Sequence, residues 1–323
     1  MLSVSKSGRT KWQLTAISSV MHMLVDGLCI CSLYLVSQTL PVQSLAGIFL
    51  TYNTLAFLTQ PLTGAWADKT GRRHWMLLAA VVLLTVAVMA ASAVVTVGAT
   101  TTGLLTVAVL AGAGNSLFHA WGGKQVAVWT GNDIRAIGMF VSTGVIGLSV
   151  GFVFFSWPLL YAFLLCVSLL AVVYLNYDTE TADPKPVNRH HLSTTVAATA
   201  VAMLMGAVML RSFVGQNFSA GLGGSSTMVL TVGLVSMAGK MMGGWIARSL
   251  GIVLSLVLMV LVAVVCYIGR SYGLAILLTG AFAVNCTMPV TLYLANAVLP
   301  GREGLAFGLL AAALIPGYLL AMI

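Results

Sequence analysis

Uninterrupted apolar stretches separated by short polar gaps run the whole length of the chain. They fall at about 13–37, 43–67, 74–97, 102–125, 135–155, 157–176, 194–214, 227–247, 251–269, 272–297 and 303–323. Each approaches or exceeds the ~20 apolar residues that cross a ~30 Å hydrocarbon layer. All are continuous rather than alternating, and far longer than the roughly 9–11 residues of a membrane-barrel strand. The pattern predicts an all-α membrane protein of about 11 transmembrane helices. Composition agrees: 59% of the 323 residues are hydrophobic and 7% charged, against about 25% charged in a soluble domain. The first stretch follows Lys6, Arg9 and Lys11 as a secretory signal would. It exceeds the roughly 7–15-residue core of such a signal and contains His22 and Asp26, so it is expected to be a retained span.

The gaps predict the orientation. Lys or Arg occurs before the first helix, at 68–73, near Arg135, within 177–193, and at Arg248 and Arg302; the gaps 38–42, 98–101 and 215–226 have none. Apart from Arg270 the alternation is strict. Basic loops stay on the cytoplasmic side, so the N-terminus is expected there, in a multi-pass cell-membrane protein of the bacterial inner-membrane type. The net charge of +8 is thereby accounted for. No basic stripe with interleaved aromatics points to nucleic acid. Cys29, Cys31, Cys166, Cys266 and Cys286 lie inside apolar runs without ligand-pair spacing, as apolar fillers do. No disulfide, metal site or cofactor is expected.

Tyr177 to His191, with Pro184, Pro186 and mixed charges, reads as a linker. It divides the chain into a six-helix part (1–176), a cytoplasmic linker (177–193) and a five-helix part (194–323). The parts echo each other. Gly64-x-x-Ala67-Asp68-x-x-Gly71 ends the second helix, and Gly244-x-x-Ala247-Arg248-x-x-Gly251 ends the eighth. Gly131-Asn-Asp-Ile-Arg135 precedes the fifth, and Gly301-Arg302-Glu303 the eleventh.

Gly64-x-x-x-Asp68-Lys69-x-Gly71-Arg72-Arg73, placed between the second and third helices, resembles motif A of the major facilitator superfamily. The resemblance runs along the chain, more weakly in its second half. It implies a parallel repeat of two six-helix halves. On that plan the twelfth helix is missing, so either the protein is one span short or the sequence is truncated. It also implies that this loop latches the halves on the cytoplasmic side, its carboxylate meeting the start of the eleventh helix, here Gly301 to Leu305. The physics suits that role. Glycines permit close approach and tight turns, Asp68 can face a positive helix N-terminus, and the cations anchor at lipid headgroups.

Two further stretches, His22-Met-Leu-Val-Asp26 and Asn115-Ser-Leu-Phe118-His119 with Gly122-Gly123-Lys124, resemble the fosmidomycin-resistance type of drug exporter. Arg211-Ser212 fits the same group. Three positions depart from the exporter pattern. The fourth helix has Gly112-Ala-Gly114 but no early arginine, Gly144-x-x-Gly147-x-x-x-Gly151 is followed by Phe152 where a proline is expected, and Arg248 replaces the acid of the second loop.

Asp26 is the acid that lies well inside an apolar run, where an ionised carboxylate costs about 2.5–3.5 kcal/mol unless it faces a cavity or partner. His22 precedes it by one turn and shares its face, so the pair can exchange a proton near neutral pH. His119 is read at the cytoplasmic end of the fourth helix, as much a packing residue as a functional one. Lys124 reads as a cation snorkelling to the interface, and Lys240, deeper in the eighth helix, as one that can snorkel inward. Arg211, expected near the outer end of the seventh helix, can bind an anionic substrate, close an outer gate or anchor at the interface. Asn53, Gln60, Asn115, Asn285 and Asn296 line a cavity or, more commonly, bond between helices. Met203, Met205 and Met209 read as packing.

These residues point to a secondary transporter working by alternating access, with a midplane site between two helix sets. Proton-coupled efflux of a small anionic or drug-like molecule by a monomer is the preferred form, with Asp26 and His22 coupling and the Gly64–Arg73 loop gating. Uptake by symport or facilitated diffusion, and a non-transporting receptor or degraded transporter, are the alternatives. An enzyme is not expected, because no nucleophile–base pair, metal cluster or phosphate loop occurs.

Overall fold

The computed structural model describes residues 6–39, 42–70, 74–98, 100–177, 192–222 and 224–322. The chain opens with α1 (Lys6–Ser37), followed by α2 (Val42–Asn53), a π-helical segment (Thr54–Leu58) and α3 (Gln60–Lys69). Then come α4 (Trp75–Val97), α5 (Thr101–Thr130), α6 (Ile134–Val153) and α7 (Pro158–Tyr177). After the segment 178–191, which lies outside the described residues, follow α8 (Thr194–Ala220), α9 (Ser226–Leu250), α10 (Ile252–Ile268) and α11 (Leu274–Val298). The last pass is α12 (Glu303–Ala312) and α13 (Leu314–Leu320). Among the described residues the helices form 11 passes. Among the described residues, 9 helical stretches are long and apolar enough to cross a membrane. The other two passes are the broken α2–α3 and the 17-residue α10, about 26 Å long.

Local chemistry sets the ends. Thr100, Asp133, Ser193 and Ser225 each accept a bond from the first turn of the following helix, satisfying N–H groups that have no partner inside it. Gly131 ends α5 in the left-handed region at φ 63°, where a side chain would be strained. Two departures from the sequence pattern have plain causes. The second pass is not one straight helix, because Pro61 supplies no N–H to the ladder one turn back. The ladder widens into the π segment, and the Thr59 hydroxyl reaches back to Leu55 O at 2.6 Å. Helix α8 runs on to Ala220 instead of stopping at the polar residues near 214, because those side chains bond within the helix. Asn217 donates to Phe213 O at 2.9 Å and Ser219 to Gly215 O at 3.0 Å.

α1 is the most enclosed span and packs most closely on α6. The seam is made of glycine. A Cβ added at Gly147 or Gly151 would collide with the carbonyls of Met23 or Gly27, so the Gly144–Gly151 stretch serves close packing. Two further seams join the six-helix part to the five-helix part, α3 on α12 and α6 on α9. Gly308 faces the Gln60 carbonyl and Gly138 the Lys240 carbonyl. By contrast Val253, Val257, Leu261 and Val265 of α10, four residues apart, are at least half exposed, as a lipid-facing stripe is. Gly147→Val is expected to cost about 1–3 kcal/mol by overpacking, read as a lower midpoint of thermal unfolding in detergent. Gly206→Val, where a Cβ meets nothing within 4 Å, should leave the midpoint in place.

Candidate functional site

Asp26 lies eleven residues before the end of α1 at Ser37, about 17 Å along the axis and therefore near the middle of a ~30 Å layer. His22 sits on the same face, with Nε2 3.3 Å from the carboxylate. His119 joins them from α5, its Nε2 3.5 Å from the carboxylate. This corrects the sequence reading of His119 as lying towards the helix end. α5 continues to Thr130, which leaves His119 eleven residues inside, at the depth of Asp26. The relative exposures are 5%, 8% and 7% for His22, Asp26 and His119. Gly144 of α6 makes the room, since a Cβ there would collide with His22 and Asp26. Asn115 donates to Asp26 Oδ1 at 3.1 Å, and the rings of Phe118, Phe140 and Phe307 pack around the two imidazoles.

The hydrogen-bond partners assign the tautomers of the neutral rings. His22 Nδ1 faces Phe140 O at 2.8 Å, and His119 Nδ1 faces Asn115 O at 2.9 Å. A carbonyl only accepts, so each Nδ1 carries the ring hydrogen and each Nε2 carries a lone pair. Those two Nε2 atoms face each other at 2.9 Å. Two lone pairs at that distance repel, whereas one added proton between them makes a hydrogen bond. The resulting imidazolium has Asp26 as its counter-charge. The donor atoms of the three residues all lie within 4.8 Å of one another, a spacing that also suits a metal. Two imidazoles on one tetrahedral zinc, with Zn–N of about 2.0–2.1 Å, would however stand roughly 3.3 Å apart. The observed 2.9 Å fits a shared proton better.

Two cations of the five-helix part also lie well inside their helices. Lys240 is ten residues from the end of α9 at Leu250, and Arg211 nine from the end of α8 at Ala220, so both are about 14–15 Å deep. Arg211 is thus not an outer-end residue of its helix. Lys240 lies within electrostatic range of Asp26, His119 and Arg211.

The remaining candidates lie elsewhere. At the end bearing the basic loops, Asp68 Oδ1 accepts from Gly304 N–H at 2.8 Å and Oδ2 from Leu305 N–H at 2.9 Å, within the stretch that the motif resemblance names. Gly64 packs on the Gly304 backbone so tightly that no Cβ fits. Lys69 is exposed, while Gly71, Arg72 and Arg73 lie outside the described residues. Lys124 does not snorkel: it is buried and donates to Ala67 O at 2.6 Å. On the pseudo-equivalent seam, Arg135 forms a bidentate pair with Asp133 and lies over the Trp12 and Trp245 rings at 5.6 and 5.2 Å. Burial pushes the Asp133 carboxyl up, but the Arg135 bonds and the charges of Arg135 and Arg248 outweigh it and leave it below its usual value. Asn53 bonds to Phe49 O in its own helix and is not brought to the cluster. Asn296 bonds to Asn132 across the two parts. The sequence reading underrated Asn115 and Lys240; their signal was a polar group at mid-run depth.

The sequence pattern described as Major Facilitator Superfamily matches residues 15–322. No curated protein matches the chain. Among solved structures, the human organic anion transporter MFSD10 (TETRAN) superposes with TM-score 0.69 at 16% identity, over 97% of this chain and 92% of that one. A bacterial homologue of the iron transporter ferroportin, outward-facing, gives TM-score 0.63 at 15% identity, over 95% and 90%. FucP, a major facilitator transporter in the outward conformation, gives 0.64 at 12% identity, over 96% and 90%.

Proposed function

Because this chain belongs to the major facilitator superfamily, a family of transporters, we propose that it is a proton-coupled secondary transporter whose coupling site is the His22–Asp26–His119 cluster. The observation that carries this reading is the 2.9 Å contact between two imidazole nitrogens whose partner Nδ1 atoms both face carbonyls. The cluster is a socket for one proton, with its counter-charge beside it. Alternating access then exposes that socket to each side in turn, through a cavity between the 1–176 and 194–323 parts joined by the 177–193 linker. Asp68 and the start of α12 close the end with the basic loops, which we place in the cytoplasm of a bacterial inner membrane. A closed inner side accords with the outward-facing relatives. The chain works as a monomer and moves a small molecule; efflux in exchange for protons is the direction that the fosmidomycin-resistance resemblance implies.

Symport is the second reading, and one observation favours it. Two cations and one acid lie well inside their helices, so an anionic cargo and a proton attract and bind together rather than in alternation.

Solid-supported-membrane recordings on proteoliposomes test the coupling site. An acid jump should give a transient charge displacement in the wild type, reduced at least about tenfold in the His22→Gln/His119→Gln double variant. A wild type without the transient, or a double variant that keeps it, refutes the assignment.

A further inference from the structure

The cluster leaves the two cations of the five-helix part unexplained. Arg211 Nε and one terminal nitrogen are shielded from solvent and have no hydrogen-bond partner. Lys240 makes no ion pair or side-chain hydrogen bond among the described residues. Each is a charge well inside its helix, and the two are close enough to repel one another. Among the described residues no acid pairs with either of them. Of its seven acids, Asp26 is held by His22, His119 and Asn115. Asp68 is held by the α12 amides, Asp133 by Arg135, and Glu303 by the Gly301 N–H. Asp178, Glu180 and Asp183 lie outside the described residues, in the stretch after α7.

We propose that Lys240 and Arg211 form the binding site for the oxyanion group of the cargo, so that the transported molecule is a small organic anion. The proposal rests on the reading of the protein as a transporter with a midplane cavity, and adds the cargo class to it. The two residues divide the work. The Arg211 guanidinium offers parallel N–H groups that match a carboxylate in bidentate fashion, while Lys240 supplies a compact point charge. The sites are coupled through space. The titratable and charged groups facing the anion are Asp26 and His22 on α1, His119 on α5, Arg211 on α8 and Lys240 on α9. With Asp26 ionised and the imidazoles neutral, these sum to one positive charge; a proton on the cluster makes it two. An anion therefore binds more tightly to the protonated cluster, by about tenfold for charges some 10 Å apart at an effective dielectric of 20.

The test uses the full chain purified in lipid nanodiscs, with a panel of benzoate, acetate and inorganic phosphate against the uncharged benzamide and acetamide. At least one anion should bind by isothermal titration calorimetry, tighter at pH 5.5 than at pH 8, while its neutral counterpart does not. Lys240→Met and Arg211→Met should each weaken that binding at least tenfold. Lys240→Arg should restore most of it, and Arg211→Lys only part, because the fork is lost. Size-exclusion and circular-dichroism profiles matching the wild type identify the folded variants. The proposal is overturned if no anion in the panel binds, if the amides bind equally, or if the two methionine variants bind as the wild type does. A wild type that binds the anion but gives no acid-jump transient would instead count against the proton site alone.

Discussion

With Asp26→Asn, proteoliposomes are expected to lose the charge displacement after an acid jump by two orders of magnitude or more, while the thermal midpoint stays within a few degrees of the wild type. The carboxylate lies 3.3 and 3.5 Å from the two imidazole nitrogens. At an effective dielectric of 20, a charge pair at that distance attracts by about 5 kcal/mol. Since about 1.4 kcal/mol is a factor of ten, removing the charge weakens proton binding by on the order of a thousandfold. The amide does more than remove attraction. Its NH2 donates to an Nε2 lone pair and so satisfies the pair without the proton. The same bond, with the Asn115 contact, explains why folding should survive. A displacement of wild-type size in a folded Asn variant would remove Asp26 from the mechanism.

Breaking the Asp68 latch is expected to have the second-largest effect. The two bonds to the Gly304 and Leu305 amides are charge-assisted, worth about 1.5–3 kcal/mol each. Asp68→Asn retains one acceptor and points an NH2 at the other amide, so a net loss of about 3 kcal/mol is reasonable. That shifts a closed–open equilibrium roughly a hundredfold towards open. Gly304→Val breaks the same contact by another route, because its first side-chain carbon would lie 2.9 Å from Asp68 Oδ1. Both variants should raise labelling of a cysteine placed at Thr63, a partly buried position facing Ser116, by a membrane-impermeant thiol reagent added from the latch side. Both should also slow transport at least tenfold. Unchanged labelling in both would show that the closed end does not depend on Asp68.

The fold was largely legible in the sequence because lipid imposes a simple rule. Backbone groups must be satisfied within each span, so every long apolar run has to be a helix. The predicted run 74–97 became Trp75–Val97, and 227–247 became Ser226–Leu250. The misjudged boundaries had local causes, as at Asn217 and Ser219, whose side chains bond back to the helix and let α8 continue. The π segment was hidden because widening at Pro61 alters no residue type. The candidate site was only half legible. His22 and Asp26 are one turn apart, so their proximity follows from helical periodicity alone. His119 is 97 positions away from His22, and no periodicity links two helices.

What the sequence determined by itself is the local and the repeated: eleven apolar runs, the His22–Asp26 pair on one face, and a glycine-flanked acid at the end of the second span. Each depends on spacings shorter than a helix, which one-dimensional patterns report. The tertiary structure decided what faces what. It turned His119 Nε2 onto His22 Nε2 by committing both Nδ1 atoms to carbonyls. It set Asp68 against the amides of α12, 236 and 237 residues away. It also left Arg211 and Lys240 nine and ten residues inside their helices instead of at the ends. Those juxtapositions arise from helix packing, where glycine seams let backbones approach and thereby fix which side chains meet. The chemistry lies in those meetings.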